Sequence, residues 1–244
     1  MTESLNLVSA EGGFCMTQTF ADAFALRIRM FHALHARSEA LSKKAFEYAL
    51  EGAAIDAGFT ASVAASATTP GADIVLCGEG FSIKTEAAAK ISRSHITISK
   101  LMESAWTKNC KTVEDFLVGI HQHVLPRVLQ PDRTLVWRCF SRLSGATAKA
   151  EYELVEIPHH LLAAIGKLTE EDFSAITSKG GTTANVVLDG RSVFALVFDG
   201  SDNKLTIRKL AVKNCTLFGS WTLGLPPNAP PPPTELISDD PPQA

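Results

Sequence analysis

The apolar residues of this chain change period in its second half, from Thr134 onward, and that switch constrains the fold more than any other feature. Between residues 17 and 58, Phe20, Phe24, Ile28 and Phe31 recur three or four positions apart, the repeat of one helix face. The stretch SEALSKKAFEYALEGAAIDAG follows, with a serine near its start and a glycine just past its end, the usual polar start and flexible stop of a helix. A further helix is predicted from 97 or 99 to 108, with Leu101, Met102, Ala105 and Trp106 on its apolar face. Another runs from Thr112 to Leu129: Thr112 is a good cap, Glu114 and Asp115 suit the positive end of the helix dipole, Pro126 kinks the last turn and Pro131 stops the pattern.

Beyond the switch, residues 134–140, 148–157, 185–188, 193–198, 205–210 and 215–223 read as strands, with turns at Asp189-Gly190 and at 199–203 and a short helix over 158–165. One hairpin comes earlier, at 73–76 and 81–85, around the turn Gly78-Glu79-Gly80. The order helix, hairpin, helix, helix, then a strand-rich half fits a single α/β or α+β domain over residues 1–225. Eight of the 12 prolines lie after Leu225, so residues 226–244 form a tail that can neither pair in a sheet nor continue a helix. Its plain reading is a dispensable segment; the sharper one is a docking arm across a dimer partner.

Composition excludes several function classes. With 244 residues, 45% of them hydrophobic, the chain can bury a core, which rules out disorder for most of its length. A formal net charge of -3 excludes nucleic-acid binding by bulk positive charge but leaves room for a local basic face. Five singly placed cysteines with no CxxC pair argue against a disulfide framework and a thiolate zinc site, so a reducing, cytoplasmic setting is expected. No apolar run approaches the roughly 18–20 residues of a membrane span, and the N-terminus lacks the basic, apolar, small-residue order of a signal peptide. His121 and His123 lie two apart on a helix and do not converge, His159-His160 has no acid or thiol cluster beside it, and Gly180-Gly181 lacks the lysine of a phosphate loop.

The segment PGADIVLCGEGFSIKTEAAAKISRSHITISKLMESAW, at 70–106, carries the chemistry. In a strand, Ser82 and Lys84 share a face, and a tight hairpin can bring Asp73 beside them, so that a carboxylate and an amine meet at one point. Such a pair suits metal-assisted phosphodiester hydrolysis: Mg²⁺ binds through one or two carboxylates plus phosphate oxygens, and a lysine orients or deprotonates the attacking water. One carboxylate holds Mg²⁺ weakly, so a second is required. Glu79, Glu86 and Glu103 are the candidates.

These residues resemble the PD-(D/E)xK nuclease superfamily, and most of all its type II restriction endonucleases. The resemblance covers residues 40–165 and implies a restriction-endonuclease-like mixed sheet flanked by helices, with a strand-rich C-terminal half. Asp73 matches the Asp, with two residues between it and Pro70, and Lys84 matches the Lys; Ser82 stands where the triplet usually has an acid. One subgroup of restriction enzymes has a Ser-x-Lys triplet and takes its missing carboxylate from a glutamate on the following helix. By that likeness Glu103 joins Asp73 in holding the metal, and Glu47, rather than Glu51 one turn on, occupies the glutamate position of the preceding helix.

The same resemblance assigns base recognition to the loop after the Ser-x-Lys strand. Arg93 would make a bidentate contact to guanine, with Ser94, His95 and Ser99 as lesser contacts. Lys90, Lys100, Lys108 and Lys111 extend a local positive patch for the DNA backbone, and Arg138 and Arg142 form a second basic pair. The implied protein is a homodimeric, Mg²⁺-dependent restriction endonuclease acting on double-stranded DNA, since two strands require two active sites. The competing readings are a monomeric repair or nicking nuclease of the same fold, a DNA-binding module in which Ser82 marks a decayed site, and a strand-rich protein-interaction module.

Overall fold

The computed structural model describes residues 14, 16–34, 40–64, 71–88, 90–140 and 149–224. The proline-rich tail and Arg142 lie outside the described residues. Two helices come first, α1 (Gln18–Leu34) and α2 (Lys43–Asp56), followed by β1 (Ala61–Val63), β2 (Ile74–Leu76), β3 (Glu79–Glu86) and β4 (His95–Glu103). A 3-10 turn, Ala105–Asn109, leads into α3 (Val113–Gly119), a π-helical turn at Ile120–Val124 and α4 (Leu125–Val128). The remainder is β5 (Arg133–Cys139), β6 (Lys149–Ile157), α5 (His159–Ala163), β7 (Thr182–Leu188), β8 (Arg191–Asp199), β9 (Lys204–Ala211) and β10 (Thr216–Gly224).

The strands form a mixed six-stranded sheet, β1-β2-β3-β5-β6-β10, and a four-stranded sheet, β4-β9-β8-β7. Among the described residues, only β3 and β5 run parallel; the other pairings are antiparallel. The centre of the larger sheet is buried on both faces. Leu135, Trp137 and Cys139 of β5 pack under α1 and α2 with Phe24, Phe46 and Tyr152, whereas Val136 joins Val155 and Ile157 against the smaller sheet. Strict alternation along β5 therefore feeds two cores, each apolar side chain worth roughly 1.5–3 kcal/mol on full burial. The architecture is the mixed α+β class expected, with its strand-rich C-terminal half. Among the described residues, no helix is long and apolar enough to cross a membrane.

Local signals were sound where they were short-range. Ser42 caps α2, accepting from the Ala45 N–H at 3.3 Å, and Thr112 and Asp115 close a capping box on α3. A π-helical turn directly precedes α4, whose first turn holds Pro126, a residue with no N–H to donate. The hairpin turns one step earlier than expected: Leu76 faces Glu79, leaving Cys77 and Gly78 as a two-residue loop with φ of 51° and 85°.

The helix predicted over 97–108 is corrected: the chain there is β4 and a 3-10 turn. Two register shifts interrupt the pairing of β4 with β9, so its buried side chains fall at Ile96, Ile98 and Leu101. A bulge that moves an apolar position from spacing two to spacing three imitates a helix face in sequence. The short edge strand β1 was also unforeseen.

Candidate active site

The β2–β3 hairpin places Asp73 against the start of the Ser-Ile-Lys run. The Asp73 N–H donates to the Phe81 carbonyl at 2.8 Å, and its Oδ2 accepts the Ile83 N–H at 2.6 Å and the Ser82 hydroxyl at 3.4 Å. A strand N–H bonded to a side-chain carboxylate fixes that carboxylate's direction. Its other oxygen, Oδ1, accepts from Lys43 Nζ at 2.8 Å. Ser82, Lys84 and Asp73 line one cleft of about 200 Å³, walled by Lys43 at the start of α2, Leu101 and Met102 of β4, and Arg127, Gln130 and Pro131 at the end of the α3–α4 helix.

Electrostatics separate the two lysines of the cleft. Burial is the largest influence on Lys84 and pulls its ammonium below the ordinary lysine value; Lys43 pushes the same way, and Asp73 opposes them. A lysine so shifted has a larger neutral fraction, as a proton acceptor needs. Lys43 was not foreseen as a site residue. It and Lys44 fill the first turn of α2, where the helix dipole disfavours cations and no acid is present. That inverted charge pattern, directly behind a serine cap, is the sequence signal that would have found it.

Glu47 stands behind the cleft lining and joins the group through Lys43. Its side chain is 7% exposed, and Lys43 Nζ lies 3.6 Å and Lys44 Nζ 3.2 Å from its two oxygens. Lys43 thus bridges Asp73 and Glu47. Among the described residues, no cluster of three or more His, Cys, Asp or Glu side chains could hold a metal ion. Two carboxylates sharing one ammonium nevertheless mark a place where a cation is stable, and two hard oxygen donors plus substrate phosphate suit Mg²⁺, which keeps several of its waters.

The other expected site residues are dispersed. Glu103 is corrected: it sits at the end of a strand, not on a helix reaching back to the sheet, is 63% exposed, and pairs with Lys100 outside the cleft that its neighbours Leu101 and Met102 line. Glu86 and Glu79 are held by Arg138 and Arg133, both in ion pairs, and Glu51 accepts the Val63 N–H at the edge of β1. Arg138, expected to reach DNA, is corrected too. It is fully buried, bonded to Glu86 and Glu153 at 2.8 Å each and to the carbonyls of Ser92 and His95.

Arg93, Ser94, His95 and Lys90 are exposed on the loop that Arg138 anchors. Arg93 lies 3.9 Å over the Phe140 ring and pairs with Glu151, while Ser94 Oγ and His95 Nδ1 are 2.9 Å apart. Ser99, Lys100, Lys108 and Lys111 are exposed along and beyond β4. His121, His123, His159 and His160 are exposed and join no metal-binding group.

Comparison with known proteins agrees with this chemistry. A family model described as SmaI, type II site-specific deoxyribonuclease, matches residues 10–223. The chain is 32% identical over 221 residues to the type II restriction enzyme SmaI of Serratia marcescens, across 88% of this chain and 84% of that protein. No solved structure matches the chain.

Proposed function

The chain belongs to the SmaI family of type II site-specific deoxyribonucleases and is a type II restriction endonuclease acting on double-stranded DNA; from that membership we propose that it cuts with a PD-(D/E)xK site in the Asp73–Lys84 cleft. The observation that carries the reading is the convergence of Asp73, Ser82, Lys84 and Lys43 around one opening, with Glu47 paired to Lys43 behind it. Asp73 and Glu47 hold Mg²⁺, with Glu47 taking the part first assigned to Glu103. When bound, the metal lowers the pKa of water and stabilises negative charge on the phosphoryl group. Lys84 takes the proton of the attacking water at Nζ or orients that water. Ser82, in the acid's usual place, holds the Asp73 carboxylate by its hydroxyl.

The loop bearing Lys90, Arg93, Ser94 and His95 reads the bases, with Arg93 exchanging Glu151 for guanine, and Lys100 steadies the backbone. The remaining parts of the proposal are one catalytic and DNA-binding domain over residues 1–225, a homodimer that presents two sites to two antiparallel strands, and a cytoplasmic setting. Plasmid digestion tests it. With Mg²⁺, the wild type linearises plasmid with defined ends and Asp73→Asn does not; Asp73→Asn cutting at the wild-type rate overturns the site, and open circles alone overturn the dimer.

A further inference from the structure

We propose that Lys43 is a built-in counter-ion, filling the cation position of the cleft while DNA is absent and displaced when a divalent metal enters. This rests on the reading of Asp73 and Glu47 as metal-holding carboxylates. The Lys43 ammonium lies 2.8 Å from Asp73 Oδ1 and 3.6 Å from Glu47 Oε1, in the space between the two groups. Both carboxylates are largely withdrawn from water, 21% and 7% exposed, and such groups depend on a cationic partner. The Lys43 side chain itself is 41% exposed, so it can swing out on its flexible stem without opening the core.

Its position in the helix supports the role. An ammonium in the first turn of α2 opposes the helix dipole, and its two carboxylate partners offset that cost. Charge balance gives the consequence. Lys43, Lys84 and Arg127 line the cleft against the single lining carboxylate Asp73, so a divalent ion entering alone meets a site that is already positive. DNA phosphates supply the missing negative charge. Metal and DNA therefore bind with positive coupling, and Lys43 sets how strongly a metal binds without DNA.

Mn²⁺ titration of the DNA-free full-length protein, following loss of the free Mn²⁺ signal in electron paramagnetic resonance, tests this. Lys43→Met binds Mn²⁺ about tenfold or more tightly than wild type, a change of roughly 1.4 kcal/mol, whereas Lys43→Arg stays at the wild-type level. Lys43→Gln gives the same rise if the methionine variant melts early. Mn²⁺ affinity in Lys43→Met and Lys43→Gln no higher than wild type overturns the counter-ion role. The metal assignment is read separately, from the Mn²⁺ affinity of the Asp73→Asn and Glu47→Gln proteins bound to a DNA duplex, followed by the same electron paramagnetic resonance signal. If neither variant shifts it, the underlying reading fails; if they shift it and Lys43 variants gain no Mn²⁺, only the counter-ion role fails.

Discussion

Lys84 and Glu86 stand two residues apart on the same face of β3, and their surroundings are opposite. Around Lys84 the cluster is open and rich in cations: Lys43 and Lys84 meet one carboxylate, Asp73, beside a cleft wide enough for a phosphate. Around Glu86 the cluster is closed and saturated. Its oxygens take the Arg138 guanidinium at 2.8 Å and the Thr97 N–H at 2.7 Å, and Arg138 goes on to Glu153 and two carbonyls of the 90–95 loop. Thr97 belongs to β4, so this second cluster bolts the small sheet and the candidate reading loop onto the catalytic strand. One strand thus carries an unsatisfied group for chemistry and a satisfied one for architecture.

The largest effect that sharpens the contrast is on rate. Lys84→Ala lowers the single-turnover cleavage rate by about 10²- to 10⁴-fold, the usual contribution of a positioned proton acceptor. Next comes stability. Arg138→Ala leaves the buried Glu86 and the half-buried Glu153 without their partner and costs about 3–5 kcal/mol in a urea unfolding curve, the range for breaking a buried ion pair from one side. A midpoint equal to wild type would dissolve the distinction between the clusters.

A smaller effect follows from the lowered Lys84 value. Burial makes the folded protein release this proton more readily than the unfolded chain does, so the charged lysine destabilises the fold at neutral pH, and the loss is recovered as pH rises towards 10.5, the ordinary lysine value. Lys84→Met therefore melts higher than wild type at pH 7, with a margin that shrinks as the medium becomes alkaline. A margin that widens has the wrong sign. Smallest of all, Glu103→Ala, which removes only an exposed pair with Lys100, leaves cleavage within about twofold of wild type.

The same contrast shows what the sequence could reveal. Asp73, Ser82 and Lys84 were legible because a hairpin joins them within eleven residues, and local pairing fixes their faces. Lys43 was not, because α2 meets the hairpin only through tertiary packing across 30 residues. Arg138 was misjudged for a related reason: alternation along β5 tells which residues share a face, but not that β4 and the 90–95 loop cover that face. Glu103 fell with β4, whose bulges disguise a strand as a helix. The strands of the C-terminal half were read well because their turns, such as Asp189-Gly190 with φ of 52° and 71°, carry their own chemistry.

Lys84→Gln and Glu86→Gln, measured side by side for single-turnover cleavage and melting temperature, separate the two clusters of β3 in one experiment. Lys84→Gln loses cleavage by at least about a hundredfold with its melting temperature unchanged or raised, and Glu86→Gln melts lower while still cutting. The reverse pattern, a Lys84→Gln protein that cuts and a Glu86→Gln protein that folds fully but does not, would contradict that division of roles.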